Sequence, residues 1–312
     1  MADINPFEEV LDPKRQELMA KLHDALGELE MDQGSWAALW LSDLPKLQIF
    51  INVVHTSGLN FVASVLSAEE ASKMVKIWSA RTCEKATNES KMRKRSKSAT
   101  KLAEERDEKK CVVSHAGEPL EVAHIFPFSL GNRVETKEYR EFWRYLSLFW
   151  TDQKVEAWKT AVLGPQGTET PANRLTMRCD IHKLWGTARF AFKPLHMNEE
   201  CTELHVAFYW LPVNEWCERP LIPAPEAPSQ VRFSGKGYKL FDNITEKVIC
   251  SGDTLVFKTN DPIEHPLPAM ELLEMQWNLA RVQALSGAAD VDDDVLWPDF
   301  GPSWSWCLEL WH

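Results

Sequence analysis

Two imidazoles and a carboxamide carry the chemistry this sequence has to offer. His124 stands in Glu121-Val122-Ala123-His124-Ile125-Phe126-Pro127, Asn173 in Asn173-Arg174-Leu175, and His182 in Asp180-Ile181-His182-Lys183-Leu184-Trp185. An imidazole titrates near neutral pH, so it can take a proton from water or, as the neutral ring, bind a divalent metal. A carboxamide can tie a loop to its backbone or offer an oxygen to a cation. A histidine flanked by apolar residues, as His124 is, more often sits satisfied in a core. Residue type alone therefore decides nothing, and the elements that carry these side chains must be read first. Cys179 lies three residues before His182, but adjacency in sequence is not the spatial dyad a thiolate enzyme needs, and a buried structural thiol is expected.

Cys111 to Ser114, a turn at Ala116-Gly117 and Leu120 to Phe128 read as a hairpin, with His124 on its second strand. Residues 136–163 place Phe142, Trp143, Leu146, Phe149, Trp150, Val155, Trp158 and Val162 at helical spacing, which predicts two helices with aromatic core faces. Gly164 to Pro171 is a loop that ends near Asn173. Asp180 to Ala188 predicts a short helix under His182. Strands are expected at 190–193, 204–211, 231–233, 247–249 and 254–258, and a helix at Met270 to Leu285 with Leu272, Leu273, Met275, Leu279 and Val282 inward.

Upstream, Leu11, Leu18, Leu22, Leu26 and Leu29 predict an amphipathic helix, and Ser42-Asp43 with Pro45 splits a strongly apolar run over 35–55. Ser67 and Glu70 have capping-box spacing. Residues 84–110 have no apolar stripe and hold ten Lys/Arg against six Asp/Glu, which reads as a solvated helix or a linker. Pro220 to Pro228 holds four prolines and reads as an extended loop; residues 290–312 hold six acidic residues, four Trp and no Lys or Arg.

The 312 residues carry a net charge of −11, which speaks against a general phosphate-binding surface; only 84–110 leans basic. Seven scattered Cys, no apolar stretch long enough for a bilayer and an N-terminus without a signal-peptide pattern predict reduced thiols and an intracellular setting, cytoplasmic or nuclear, with no membrane partner.

The order of these motifs resembles a known family. Cys111-x-x-Ser114, Ala123-His124-Ile125-x-Pro127, Phe142-Trp143, Phe149-Trp150, Trp158, Thr168-Glu169-Thr170-x-x-Asn173-x-Leu175 and His182-x-x-Trp185-Gly186-x-Ala188-Arg189-Phe190-Ala191-x-Lys193-Pro194 are similar to the HNH-domain proteins of filamentous fungi, across about a quarter of the chain. The resemblance implies an α+β fold with a ββα-metal core. With the periodicities and charges above, the expected layout is a helical N-terminal unit (1–83), a charged helix or linker (84–110), an HNH-like core (111–215) with a Trp-rich helical insertion, β-rich C-terminal strands and a helix packing on that core (216–289), and an acidic Trp-rich tail (290–312).

The resemblance also implies roles. His124 would be the general base of phosphodiester hydrolysis, His182 a metal ligand, and Asn173 the loop orienter or a second ligand. The metal would be Mg²⁺, Mn²⁺ or Zn²⁺. Arg174, Lys183, Arg189 and Lys193 would meet the substrate, and residues 91–110 would clamp nucleic acid. Two positions depart from the family pattern: Ala123 and Gly186 stand where many members have a further metal ligand. Glu169, Asp180 and His115 stay open as replacements. The alternative expectation is a fold recruited to a small molecule in fungal secondary metabolism, with His124 as acid/base and no metal, or a non-catalytic binding protein. The acidic tail is expected to be a disordered end or a Trp-anchored packing strap, with a nucleic-acid mimic lying over the basic segment as the alternative.

Overall fold

The computed structural model describes residues 5–66, 70–79, 94–131, 136–164, 167–212, 214 and 238–288. The capping box at Ser67, the strand expected at 231–233, the proline loop and the acidic tail lie outside the described residues.

Five helices build the N-terminal part. Asp12 accepts the Arg15 N–H at 2.9 Å and Pro13 opens α1 (Pro13–Leu26); the chain turns out of it at Gly27, whose φ of 60° suits a residue without Cβ. Leu18, Leu22 and Leu26 are buried, but Leu11 is 57% exposed because it belongs to a 3-10 turn before the helix. The apolar run divides at Ser42-Asp43 into α2 (Gln33–Leu41) and α3 (Leu44–Ser57), as Pro45 in the first turn of α3 requires. Helices α4 (Leu59–Leu66) and α5 (Glu70–Ser79) complete the group.

Within the charged segment the described residues begin at 94, and these are docked on the fold. Residues 97–106 form α6 (Lys97–Arg106), which docks on the strand that follows Asn173. Arg106 is the reason: its Nη1 donates to the carbonyls of Pro171 at 2.9 Å and Pro266 at 3.0 Å, its Nη2 donates to Arg174 O at 2.7 Å, and Asp107 neutralises it at 2.7 Å. Asp107 in turn accepts the Thr176 N–H at 2.8 Å. A segment without an apolar stripe is thus held by buried polar stitches, which periodicity cannot register.

Strand β1 (Leu120–His124) pairs antiparallel with β2 (Arg174–Arg178), from Leu120 opposite Arg178 to His124 opposite Arg174. This corrects the expected hairpin with 111–114. Cys111 to Ala116 curls into a turn closed by Cys111 N–H to Ala116 O and His115 N–H to Cys111 O, both 2.8 Å, with His115 at φ 53°. Only the Val112 N–H reaches the sheet, at Thr176 O.

Between β1 and β2 the chain inserts α7 (Phe128–Gly131), α8 (Lys137–Phe149) and α9 (Asp152–Leu163). Their aromatic faces are core: Phe142 stacks on Trp78 of α5 at 6.2 Å, Phe149 meets Phe50 of α3 at 6.0 Å, and Trp150 meets Trp158 at 5.7 Å. Side chains of this size contribute about 2–3 kcal/mol each on burial.

Helix α10 (Cys179–Gly186) follows β2 directly. A second antiparallel sheet runs β3 (Phe190–Met197), β4 (Glu203–Trp210), β5 (Thr254–Lys258) in that spatial order. The strand expected at 247–249 is a single bridge, Phe241 to Val248. Helix α11 (Met270–Leu285) packs on β3, α2 and α9, so nearly all its residues are buried, polar ones included. The architecture is α+β, and nearly all of its described buried apolar residues form one cluster from Phe7 to Ala288.

Candidate active site

Asn173 shapes the chain that leaves His124. Its backbone carbonyl accepts the Ile125 N–H at 3.0 Å and its Oδ1 accepts the Phe126 N–H at 2.7 Å. Its Nδ2 donates to Phe126 O at 3.1 Å and Thr168 O at 2.9 Å. The residue is 1% exposed. All three side-chain bonds go to backbone, so Asn173 meets His124 through the turn it fixes, and its carboxamide does not line the cleft below.

His124 closes β1 and its Nε2 lies 2.9 Å from Glu169 Oε1. The other carboxylate oxygen of Glu169 accepts the Ser96 N–H at 2.6 Å and pairs with Arg174 Nη2. Arg174 Nη1 donates to Ser96 O at 3.2 Å and to Thr100 Oγ1. Ser96 is also the N-cap of α6, accepting the Ala99 N–H at 3.2 Å. The docked start of α6 and the His124 pair therefore form one network. A carboxylate only accepts, so Nε2 carries the proton and the lone pair is on Nδ1.

Burial, then the Arg174 charge and more weakly Arg95, push the His124 pKa down from 6.5 to about 4, against the opposing pull of Glu169. The ring is neutral at pH 7.

His182 on α10 pairs with Glu121 on β1, Nδ1 to Oε2 2.5 Å, and both are partly exposed. The sequence reading passed over Glu121. The available signal was a carboxylate inside the strand that leads to His124.

His124 and the Glu121–His182 pair line one cleft of about 810 Å³, together with Arg95, Lys183 and the aromatic side chains of Trp78, Phe128 and Trp185. Of the four cations expected at the substrate, Lys183 lines the cleft. Arg174 does not: it is 1% exposed and spent on Glu169, Ser96 and Thr100. Arg189, whose pKa burial lowers, and the exposed Lys193 are absent from the lining. Three further candidates have other partners: His115 pairs with Asp242 at 2.9 Å, Asp180 with Arg178 at 3.1 Å, and Glu169 with His124.

The donor set can be tested against a divalent metal. Among the described residues, three His, Cys, Asp or Glu ligand atoms converge only at Asp261, Glu264 and His265, outside this cleft. Among the described residues no third His, Cys, Asp or Glu ligand atom joins His182 and Glu121 as a zinc site would need. One carboxylate and one imidazole, open to solvent, do suit a Mg²⁺ or Mn²⁺ ion that keeps its waters and shares substrate oxygens.

Residues 111–193 match the HNH_2 family model, described as HNH endonuclease. The chain thus contains an HNH nuclease domain, which suggests a nuclease-type function in general. No curated protein and no solved structure matches the chain. No described helix is long and apolar enough to cross a membrane.

Proposed function

We propose that the chain is an HNH-type endonuclease that hydrolyses phosphodiester bonds, with β1, β2 and α10 as its ββα-metal core. One observation carries this reading: an imidazole held neutral by its surroundings shares a cleft with a carboxylate–imidazole pair. In this reading His124 Nδ1 accepts a proton from the water that attacks phosphorus. Glu169 fixes the ring and stabilises the imidazolium that forms, while Arg174 keeps that cation short-lived. Arg95 and Lys183 meet the phosphate. Asn173 is a positioning residue that aims the turn after His124. Glu121 and His182 would hold the metal; when bound, a divalent ion supplies charge neutralisation at the phosphate and the leaving oxygen. Lys94, Arg95, Lys97 and Lys101 are exposed around the start of α6 and would extend the contact along the nucleic acid.

Supercoiled plasmid nicking, with Mg²⁺, Mn²⁺, Ni²⁺ or Zn²⁺, tests the proposal. Activity should need metal and be lost in His124→Ala. Activity that survives that substitution, or none with any metal, sinks it.

A second reading has one observation in its favour: among the described residues no third His, Cys, Asp or Glu ligand joins Glu121 and His182 at the cleft. It is a recruited HNH fold, as in fungal secondary metabolism, that works on a small molecule with His124 as acid/base. Recovery of an apolar ligand from the purified chain, together with no metal-dependent nicking, would favour it.

A further inference from the structure

The stretch that matches the nuclease family begins at residue 111, yet two groups that touch the His124 ring are held from upstream of it. Glu169 is one. It stands on the loop between α9 and the 3-10 turn Pro171–Asn173, so no helix or strand fixes its carboxylate. Its Oε1 reaches His124, and its Oε2 is held by the Ser96 N–H at 2.6 Å and by Arg174 Nη2. Arg174 leans on the same turn of α6. Its Nη1 donates to Ser96 O and to Thr100 Oγ1, and the Thr100 hydroxyl donates to Ser96 O at 3.0 Å. Arg174 Nε has no hydrogen-bond partner among the described residues, so this buried guanidinium depends all the more on what α6 offers its Nη1. Phe128 is the other group. Its ring lies 5.5 Å from the His124 ring, centroid to centroid, and the Arg95 guanidinium lies over it at 5.2 Å. The far end of α6 is fastened as well: Arg106 binds the carbonyls of Pro171 and Arg174, and Asp107 the Thr176 N–H. The helix is a splint beside residues 171–176.

We propose that α6 and the residues leading into it are a positioning element of the catalytic base: the Ser96 N–H sets the Glu169 carboxylate, which aims the His124 ring, and the catalytic unit starts near residue 94 instead of 111. The role of His124 as base rests on the nuclease reading; the aiming of its ring does not. Misplacing a reacting group by about 1 Å can cost up to ~100-fold in rate, so a helix that never meets the substrate can still set kcat.

The test is Ser96→Pro in the full chain. Ser96 has a φ of −73°, which a proline ring accepts, and the substitution puts a ring carbon where the N–H met Glu169. Ser96→Ala is its partner, since it gives up the same cap hydroxyl and keeps the N–H. The readout is the His124 Nε2 proton in the NMR spectrum, shifted downfield and slow to exchange while it is bonded to Glu169. Ser96→Ala should retain that signal. Ser96→Pro should lose it, with kcat for plasmid nicking down about 10-fold and KM within about 2-fold of wild type. Thr100→Val takes the hydroxyl from Arg174 and leaves the Ser96 N–H in place; it should lower kcat about 3-fold, and Thr100→Ser should restore it. Should Ser96→Pro not fold, the Thr100 pair decides. A ring proton that survives in Ser96→Pro, or that is lost equally in Ser96→Ala, refutes the positioning role, as does a Thr100→Val that behaves as wild type; the nuclease reading then stands. If the proton responds as stated while wild type nicks with no metal, the nuclease reading falls and the positioning of His124 stands.

Discussion

Acid should unfold this protein through His124, and the size of that effect can be worked from its surroundings. The ring titrates near 6.5 in an unfolded chain and is held down to about 4 in the fold. Between these values the unfolded state binds a proton that the folded state refuses. Stability therefore rises with pH across that window. The contribution is fully present above 6.5 and is lost as pH falls towards 4. The difference corresponds to about 3 kcal/mol, an upper figure because Glu169 is free to relax around a charged ring. The assay is urea unfolding of wild type and His124→Gln at a series of pH values from 7.5 to 4. Gln keeps an N–H to face Glu169 and does not titrate. Wild type should lose roughly 2–3 kcal/mol more than the variant across the window, and the His124 ring protons should shift in the NMR spectrum only near pH 4. A constant difference between the two proteins, or a ring that titrates near 6.5, would falsify the account of His124 as a buried neutral base.

Three further outcomes follow from the same geometry. Asn173→Ala removes three bonds to buried backbone groups and should cost roughly 3–5 kcal/mol in chemical unfolding; a loss under 1 kcal/mol contradicts its role in the turn. Arg106→Gln strands three carbonyls and Asp107 and should cost about 3–5 kcal/mol. Limited proteolysis should then cut first at the start of α6, and unchanged cleavage would show that the stitches are dispensable. Glu121→Gln and His182→Ala should each weaken Mn²⁺ binding in calorimetry by about 10-fold or more while leaving the melting temperature within a few degrees, since both side chains are partly exposed; unaltered binding in both would exclude them as ligands.

What the sequence made legible was what repeats at short range. The aromatic spacing of 136–163 identified α8 and α9, and the apolar positions from Leu272 to Val282 identified α11 to the residue. The motif order His124, Asn173, His182 led to the domain at 111–193. What stayed hidden depends on long-range partners. The alternation through Val122 and His124 marks a strand but not its neighbour, and β2 arrives some fifty residues later. Nothing in the charges of 97–106 announces that Arg106 is buried against Pro171 and Pro266, because a guanidinium satisfied by carbonyls leaves no periodicity. Arg174 reads as a phosphate contact through the family resemblance; its burial beside Glu169 is a property of the fold.

The departures at Ala123 and Gly186 find a physical answer in β1. A metal site needs carboxylate oxygen close to imidazole nitrogen, and no fixed sequence position is demanded for it. Here the strand offers Glu121 to His182 directly, across to α10. Among the described residues Glu169 is the carboxylate paired with His124, and it is shared with Arg174. Burial first, and then the Arg174 charge, outweigh this one carboxylate divided between an imidazole and a buried guanidinium, so it does not hold the imidazole protonated. The ring thus stays neutral through the whole range from pH 5 upward, weak as a base but always available. On this reasoning kcat/KM should show no acid limb between pH 5.5 and 7 that depends on His124. If Glu169 is what keeps the limb from falling further, Glu169→Gln should move it lower still. A limb that moves upward in Glu169→Gln would mean that Arg174, freed from its partner, does not act on the ring as its position requires.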